Sequence, residues 1–229
     1  MINKLKKLKA VVVGKDFLYK PTIKIKSEKL GNKSEGWWIH PNLIQNKSSI
    51  VFSFGLGEDI SFDLAIMKEY NSKVYGFDPT PKALKYVKSI NTGDNFILNE
   101  YAVSNKDGQL TFNLPENENY VSGSFADINS TNTITVEAKR LRTILEELKL
   151  TSNDIDILKM DIEGAEYDVI EDMITSKIFP KQVLIEYHHF FDAITNQKTK
   201  DNILLLLKNN YELFYVEAYN YSFIRKDLI

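Results

Sequence analysis

The sequence predicts an α/β fold: a doubly wound, mostly parallel sheet with a C-terminal antiparallel hairpin and a β-rich insertion. Two observations carry that expectation. From residue 50 onward, short continuous apolar runs alternate with helix-like segments, the pattern left by strands that crossover helices bury on both faces. The last two apolar runs are separated only by the residues around Asn220, too few for a crossover and enough for a hairpin.

The elements follow in order. SIVFSF precedes the helical DISFDLAIMKEY, KVYGF precedes TPKALKYVKSI, and FILNEYAV supplies a third strand. Between Gln109 and Leu141 the alternation breaks into two β-prone pieces around a polar loop rich in Asn, Ser and Glu, which reads as an insertion. IDILKM then precedes AEYDVIEDMI, QVLIEYH precedes TKDNILLLLKNN, and YELFYVEAY with YSFIRK closes the chain. Residues 1–49 read as an N-terminal extension packed on the domain formed by residues 50–229. Its adjacent Trp37 and Trp38 are the residues that call for burial there.

Composition narrows the function. The chain has 229 residues, 43% of them hydrophobic and 12% aromatic, enough for one full core. A formal net charge of -2 leaves no domain-wide basic field, so nucleic acid is not an expected partner. The absence of cysteine excludes disulfides, zinc-thiolate sites and thiol nucleophiles without fixing the compartment, which is expected to be the cytoplasm. The basic start MINKLKKLKAVVVGKDF has too short an apolar part, Ala10 to Val13, for a signal peptide. Leu5, Leu8 and Val12 with the surrounding lysines read as a solvated terminal helix, with weak contact to an acidic membrane surface as the alternative. The run ILLLLK from Ile203 is far shorter than the roughly 20 residues of a membrane span.

Chemistry concentrates at four strand ends. After Phe54 come Gly55 and Gly57, then Glu58 and Asp59, where a helix begins near Asp59 or Ser61. Glycines at such a turn let backbone N–H groups approach a ligand. A dinucleotide fingerprint, however, needs a third glycine where Ile60 stands, and two acids repel a pyrophosphate. About 20 residues on, Asp78 ends the second strand, where an acid accepts ribose hydroxyls. Thr80 and Pro81 suit a helix start. A nucleoside with a positive tail fits these residues, and S-adenosylmethionine (SAM) is such a ligand.

The third end, DILKMDIEGAEYDVI, delivers Asp161 and Glu163 to the carboxyl edge of the sheet, although Asp161 reads equally as a helix cap. In the fourth, VLIEYHHF, Glu186 and His188 project to one face and Tyr187 and His189 to the other. His188 is the candidate general base for an acceptor hydroxyl. Alternatively, Asp161, Glu186 and His188 hold a divalent ion, for which these ligands favour Mg or Mn over zinc. The insertion, with Tyr120, Ser122 and Ser124, is placed to cover an acceptor, with a mobile surface loop as the equal alternative.

The segments SFGLGEDISFD, YGFDPTP, LKMDIEGAEYDVI and IEYHH resemble the signature blocks of the FkbM-type SAM-dependent methyltransferases, in the branch with GEDISFD and FDPTP forms. The similarity runs from about Gly36 to the C-terminus. It implies a class I methyltransferase fold with a seven-stranded sheet and SAM as donor. By motif, Gly55 and Gly57 would line the methionine part, Asp78 would hold the ribose, and Asp161 with Glu163 would border the methyl. Ser53 stands where the wider family commonly has an acid, which leaves Glu58 or Asp59 for the SAM ammonium. The resemblance implies O-methylation of a sugar or other small molecule. The residues themselves make His188, Asp161 and Glu163 the catalytic candidates and Glu186, Tyr120 and Ser124 the candidates toward the acceptor. The competing readings are a non-catalytic SAM-binding scaffold and a nicotinamide-dependent oxidoreductase.

Overall fold

The structure is a computed structural model, and it describes residues 11–229 apart from 13, 15, 35, 45–48, 114–132 and 192. Two short strands come first, β1 (Glu28–Leu30) and β2 (Trp37–Ile39), paired antiparallel. The alternating region then gives β3 (Ile50–Phe54), α1 (Ser61–Tyr70), β4 (Lys73–Phe77), α2 (Pro81–Lys88) and β5 (Phe96–Asn99). After it come β6 (Ala102–Ser104), β7 (Gly108–Asn113), β8 (Thr133–Arg140) and α3 (Leu141–Leu148). The last part holds β9 (Ile155–Met160), α4 (Glu166–Thr175), β10 (Gln182–Glu186), α5 (Asn196–Lys208), β11 (Tyr211–Glu217) and β12 (Asn220–Arg225).

Seven strands form the central sheet in the order β11-β12-β10-β9-β3-β4-β5. Only β12 runs against its neighbours; the other pairings are parallel. The expected doubly wound sheet and its closing hairpin are therefore both present. The chain winds from β3 out to β5, then returns to β9 and winds the other way. The reversal falls between β3 and β9, and open α/β sheets bind ligands at the carboxyl ends of the strands beside such a point.

Burial on both faces explains the unbroken apolar runs. Phe52 and Phe54 of β3 point into one core layer with Phe77, Met160 and Tyr167, whereas Val51 joins Val74, Ile157, Leu184 and Ile66 in the other. All six residues of β9 are buried. Trp37 and Ile39 belong to the second layer, and the amide of Gln182 bonds both the N–H and the carbonyl of His40. Trp38 instead stacks on Tyr215 at 3.9 Å.

Two sequence expectations change in detail. FILNEYAV is not one strand but two, because β5 ends at Asn99 and β6 leaves the central sheet to pair with β8. Asn99 folds its side-chain amide back onto the Gly76 and Ile97 carbonyls at the break. The two β-prone pieces of the insertion are β7 and β8, antiparallel in a small sheet ordered β6-β8-β7. Tyr120, Ser122 and Ser124 lie outside the described residues. No helix among the described residues is long and apolar enough to cross a membrane.

Candidate active site

The carboxyl ends of β3, β4, β9 and β10 surround a cleft of about 360 Å³. Gly55, Gly57, Glu58, Asp59 and Asp78 line it from the first two strand ends, and Asp161, Glu163 and Glu186 line it from the other two. The structure thus brings together the strand-end residues singled out in the sequence, His188 excepted, which lies just behind Asp161 and Glu163.

Each residue has a local cause. Gly55 sits at φ +76°, and a Cβ there would lie 1.7 Å from the Asp161 carbonyl oxygen, while its N–H donates to Phe77 at 3.0 Å. The glycine is therefore required by the close approach of the β9 exit, not by a ligand. Gly57, at φ +54°, turns the chain so that its N–H and that of Leu56 both donate to Asp78 Oδ2, at 3.2 and 2.9 Å. Oδ1 of Asp78 accepts from the N–H and hydroxyl of Thr80. Thr80 occupies the N-cap of α2 with Pro81 behind it, but its hydroxyl serves Asp78 instead of capping.

The paired acids also have protein partners. Asp59 accepts the first N–H of α1, from Ser61 at 2.7 Å, and the side-chain amide of Asn32. Glu58 pairs with Lys82 at 3.1 Å on the cleft rim.

The segment after β9 is a tight loop with two left-handed residues in succession, Glu163 at φ +53° and Gly164 at φ +103°. A non-glycine residue in that region is strained and persists where its surroundings hold it. Glu166 does the holding: fully buried, its carboxylate accepts the N–H groups of Ile162 and Gly164 and bonds His188 Nδ1 at 2.8 Å. The other imidazole nitrogen, Nε2, faces Glu163 Oε2 at 3.3 Å and Asp161 Oδ1 at 3.5 Å. Asp161 does not cap the following helix, whose N-cap is Ala165. Tyr187 and His189 point elsewhere, to Asn202 and to Asp16.

Comparison with known proteins places this arrangement. The family model described as the methyltransferase FkbM domain matches residues 27–213. The chain belongs to the FkbM methyltransferase family. Membership makes it a SAM-dependent methyltransferase, and its seven-stranded α/β sheet is the architecture that the resemblance implied. None of the curated proteins compared matches significantly. Among solved structures it is similar to the precorrin-6y C5,15-methyltransferase of Geobacter metallireducens (10% identity, TM-score 0.44, covering 80% of this chain and 82% of that one). It is also similar to the fibrillarin pre-rRNA processing protein of Methanococcus jannaschii (12%, TM-score 0.45, 90% and 87%). A third is TYW2 of M. jannaschii in complex with AdoMet (13%, TM-score 0.39, 92% and 90%). TM-scores this low add nothing to the fold that the chain itself displays.

Electrostatics divides the acids of this FkbM methyltransferase. Burial alone would lower the His188 pKa, but Glu166, then Asp161 and Glu163, outweigh it and raise it to about 10. His188 lies behind the two cleft carboxylates with 3% of its surface exposed and its Nδ1 turned to Glu166. Burial, reinforced by Asp161 and Glu163, pushes Glu186 up to about 8 against the opposing pull of His188. Asp161 is raised by its recess at the sheet edge more than Lys159 and His188 lower it.

Three residues of the site escaped the sequence reading. Lys159 is 4% exposed within an apolar strand, lines the cleft, donates to the Gly55 carbonyl at 2.7 Å and lies 5.3 Å from the centre of the Trp37 ring. Trp37 lines the same wall. Glu166 opens α4, where an acid in a first helical turn carries no mark of burial. Only the chain reversal at Gly164 turns it inward.

Proposed function

We propose that this methyltransferase transfers the SAM methyl group to a hydroxyl of a sugar or another small molecule, within the cleft at the β3–β9 switch point. The convergence of Asp78, Asp161, Glu163 and Glu186 from three strand ends on that one cleft carries the reading. Acids so crowded favour a cationic ligand over a phosphate. The residues fit SAM: the cleft volume lies within the usual 300–1,000 Å³ of small-molecule sites, and the carboxylates of Asp78, Asp161, Glu163 and Glu186 line it with Lys159. SAM, when bound, supplies a methyl on a sulfonium that is displaced in one step.

The chain's own residues do the remainder. Asp78 shapes the Gly-x-Gly turn and holds the ribose, with the Thr80 hydroxyl as the donor that a ribose hydroxyl exchanges with. Gly55 and Gly57 border the methionine part, and Glu58 and Asp59 give the rim the charge that attracts the ammonium. Lys159 offers the only buried cation lining the cleft among the described residues, suited to the cofactor carboxylate. Alignment of the acceptor oxygen with the methyl supplies most of the rate.

Glu186, facing the cleft with its pKa raised to about 8, takes the acceptor proton in its ionised form, so turnover should rise as pH approaches 8. His188 positions Asp161 and Glu163 from behind. Ala102 and Val103 of β6, which pairs with β8 of the insertion, line the cleft on the side proposed for the acceptor.

Calorimetric titration tests the donor half: SAM should bind with one site per chain and NADH should not. A screen of sugars and other hydroxyl compounds tests the acceptor half. A methyl ether forming in step with S-adenosylhomocysteine supports it. Methylation at nitrogen or carbon alone, or tighter binding of NADH than of SAM, would contradict it.

A further inference from the structure

We propose that Asp161, Glu163 and His188 form a divalent-cation site, filled by Mg²⁺ or Mn²⁺, on the floor of the cleft. One oxygen from each carboxylate and Nε2 of His188 lie within 4.8 Å of one another. The two carboxylates line the cleft, while the imidazole closes the site from beneath with 3% of its surface exposed.

The distances decide between a proton and a metal ion at Nε2. Two acceptors face that nitrogen, so something positive must sit between them. A charge-assisted N–H···O bond spans about 2.7–2.9 Å, and the Nδ1 contact to Glu166, at 2.8 Å, is such a bond. The Nε2 separations, 3.3 Å to Glu163 and 3.5 Å to Asp161, are too long for one. Neighbouring ligands on an octahedral ion with bonds of about 2.1 Å stand roughly 3.0 Å apart. Shifts of a few tenths of an ångström thus suffice to close the three atoms on a cation.

The imidazole is also prepared as a ligand. Glu166, held by the N–H groups of Ile162 and Gly164, keeps a proton on Nδ1, so a cation that displaces the Nε2 proton meets a lone pair aimed at the carboxylates. Ligand histidines are characteristically oriented by such a carboxylate. Two hard oxygens with one imidazole, and a side open to the cleft, suit Mg²⁺ or Mn²⁺ more than zinc.

A cation here would lie beside the acceptor hydroxyl and favour its deprotonation. That role rests on the methyltransferase reading; the binding itself does not.

Mn²⁺ is therefore titrated into the protein without SAM, followed by electron paramagnetic resonance. The expected result is one ion per chain with a Kd of about 10⁻⁴ M or tighter, with ¹⁴N coupling from a coordinated imidazole in the pulsed spectrum. His188→Gln should remove the coupling. Asp161→Asn and Glu163→Gln should each weaken binding by at least about tenfold, and Glu166→Gln by about 10–100-fold, with folding checked by circular dichroism. Asp201→Asn, on the exposed face of α5, should change nothing. Weaker binding than this in the folded wild type, binding without nitrogen coupling, or affinities unmoved in folded variants would overturn the site. If methyl transfer fails while Mn²⁺ binds as expected, the methyltransferase reading has failed and the metal site stands.

Discussion

Asp78 shows how one side chain serves two ends. Its carboxylate accepts four protein hydrogen bonds, two from the Gly-x-Gly turn and two from Thr80, so it builds the wall that SAM would meet. Asp78→Ala should weaken SAM by at least tenfold and cost about 1–3 kcal/mol of stability, since buried donors lose their acceptor. Calorimetry on a variant verified as folded checks the first part and urea denaturation the second. Glu186→Gln should lower turnover by about 10²–10⁴-fold, the worth of a general base, while SAM affinity is unchanged; initial rates at saturating SAM check it.

Asp63, fully buried in α1 with neither carboxylate oxygen hydrogen-bonded, gives a prediction about pH. Burial raises its pKa more than Lys159 lowers it. The folded state thus binds this proton more tightly than the unfolded state, and stability falls as pH rises from about 4 toward the raised value. Asp63→Asn lacks that loss, so its stability relative to wild type should improve steadily between pH 4 and pH 8. Parallel melting curves across that range would expose the error if the two lines stay level.

At the scale of elements, the loops after β3 and β9 are one construction. Gly55 can stand so close to the Asp161 carbonyl only because it lacks a Cβ. Gly55→Ala should destabilise the fold by about 3 kcal/mol or more, through overpacking against backbone and the left-handed φ. A lowered urea midpoint at constant slope is the expected signature.

Sequence legibility follows from the same geometry. Asp78, Asp161, Glu163 and Glu186 were readable because each stands at the end of an apolar run, and strand ends in a parallel sheet share one edge. Glu166 and Lys159 were not. One is turned inward by a two-residue left-handed reversal that leaves no spacing signal, and the other is a buried cation inside a strand, where charge is seldom expected. The reason for Gly55 was also hidden, since a contact between loops over a hundred residues apart has no local mark. Thr80 illustrates a subtler limit: its place before Pro81 was legible, but not the competition for its hydroxyl from Asp78.

For the whole molecule, the family match starts at residue 27, so β1 and β2 lie within the matched region. Gln182 and Trp37 join that region to β10 and to the cleft wall. Ligand binding should therefore be felt globally. SAM at about a hundred times its Kd adds roughly 2.7 kcal/mol to the folded state, which for a chain of this length raises Tm by about 5–10 °C. Differential scanning fluorimetry reads it, and NADH should leave Tm where it was.

The proposed reaction passes a methyl group from SAM to a hydroxyl in this cleft, with Glu186 receiving the proton. Its most direct test follows an isotopically labelled methyl from SAM, in wild type and in Glu186→Gln, with hydroxyl compounds as acceptors. The expected result is label on an acceptor oxygen with the wild type and almost none with the folded variant, which still binds SAM. Label that never reaches a hydroxyl oxygen, or reaches it equally fast without the Glu186 carboxylate, would contradict the account.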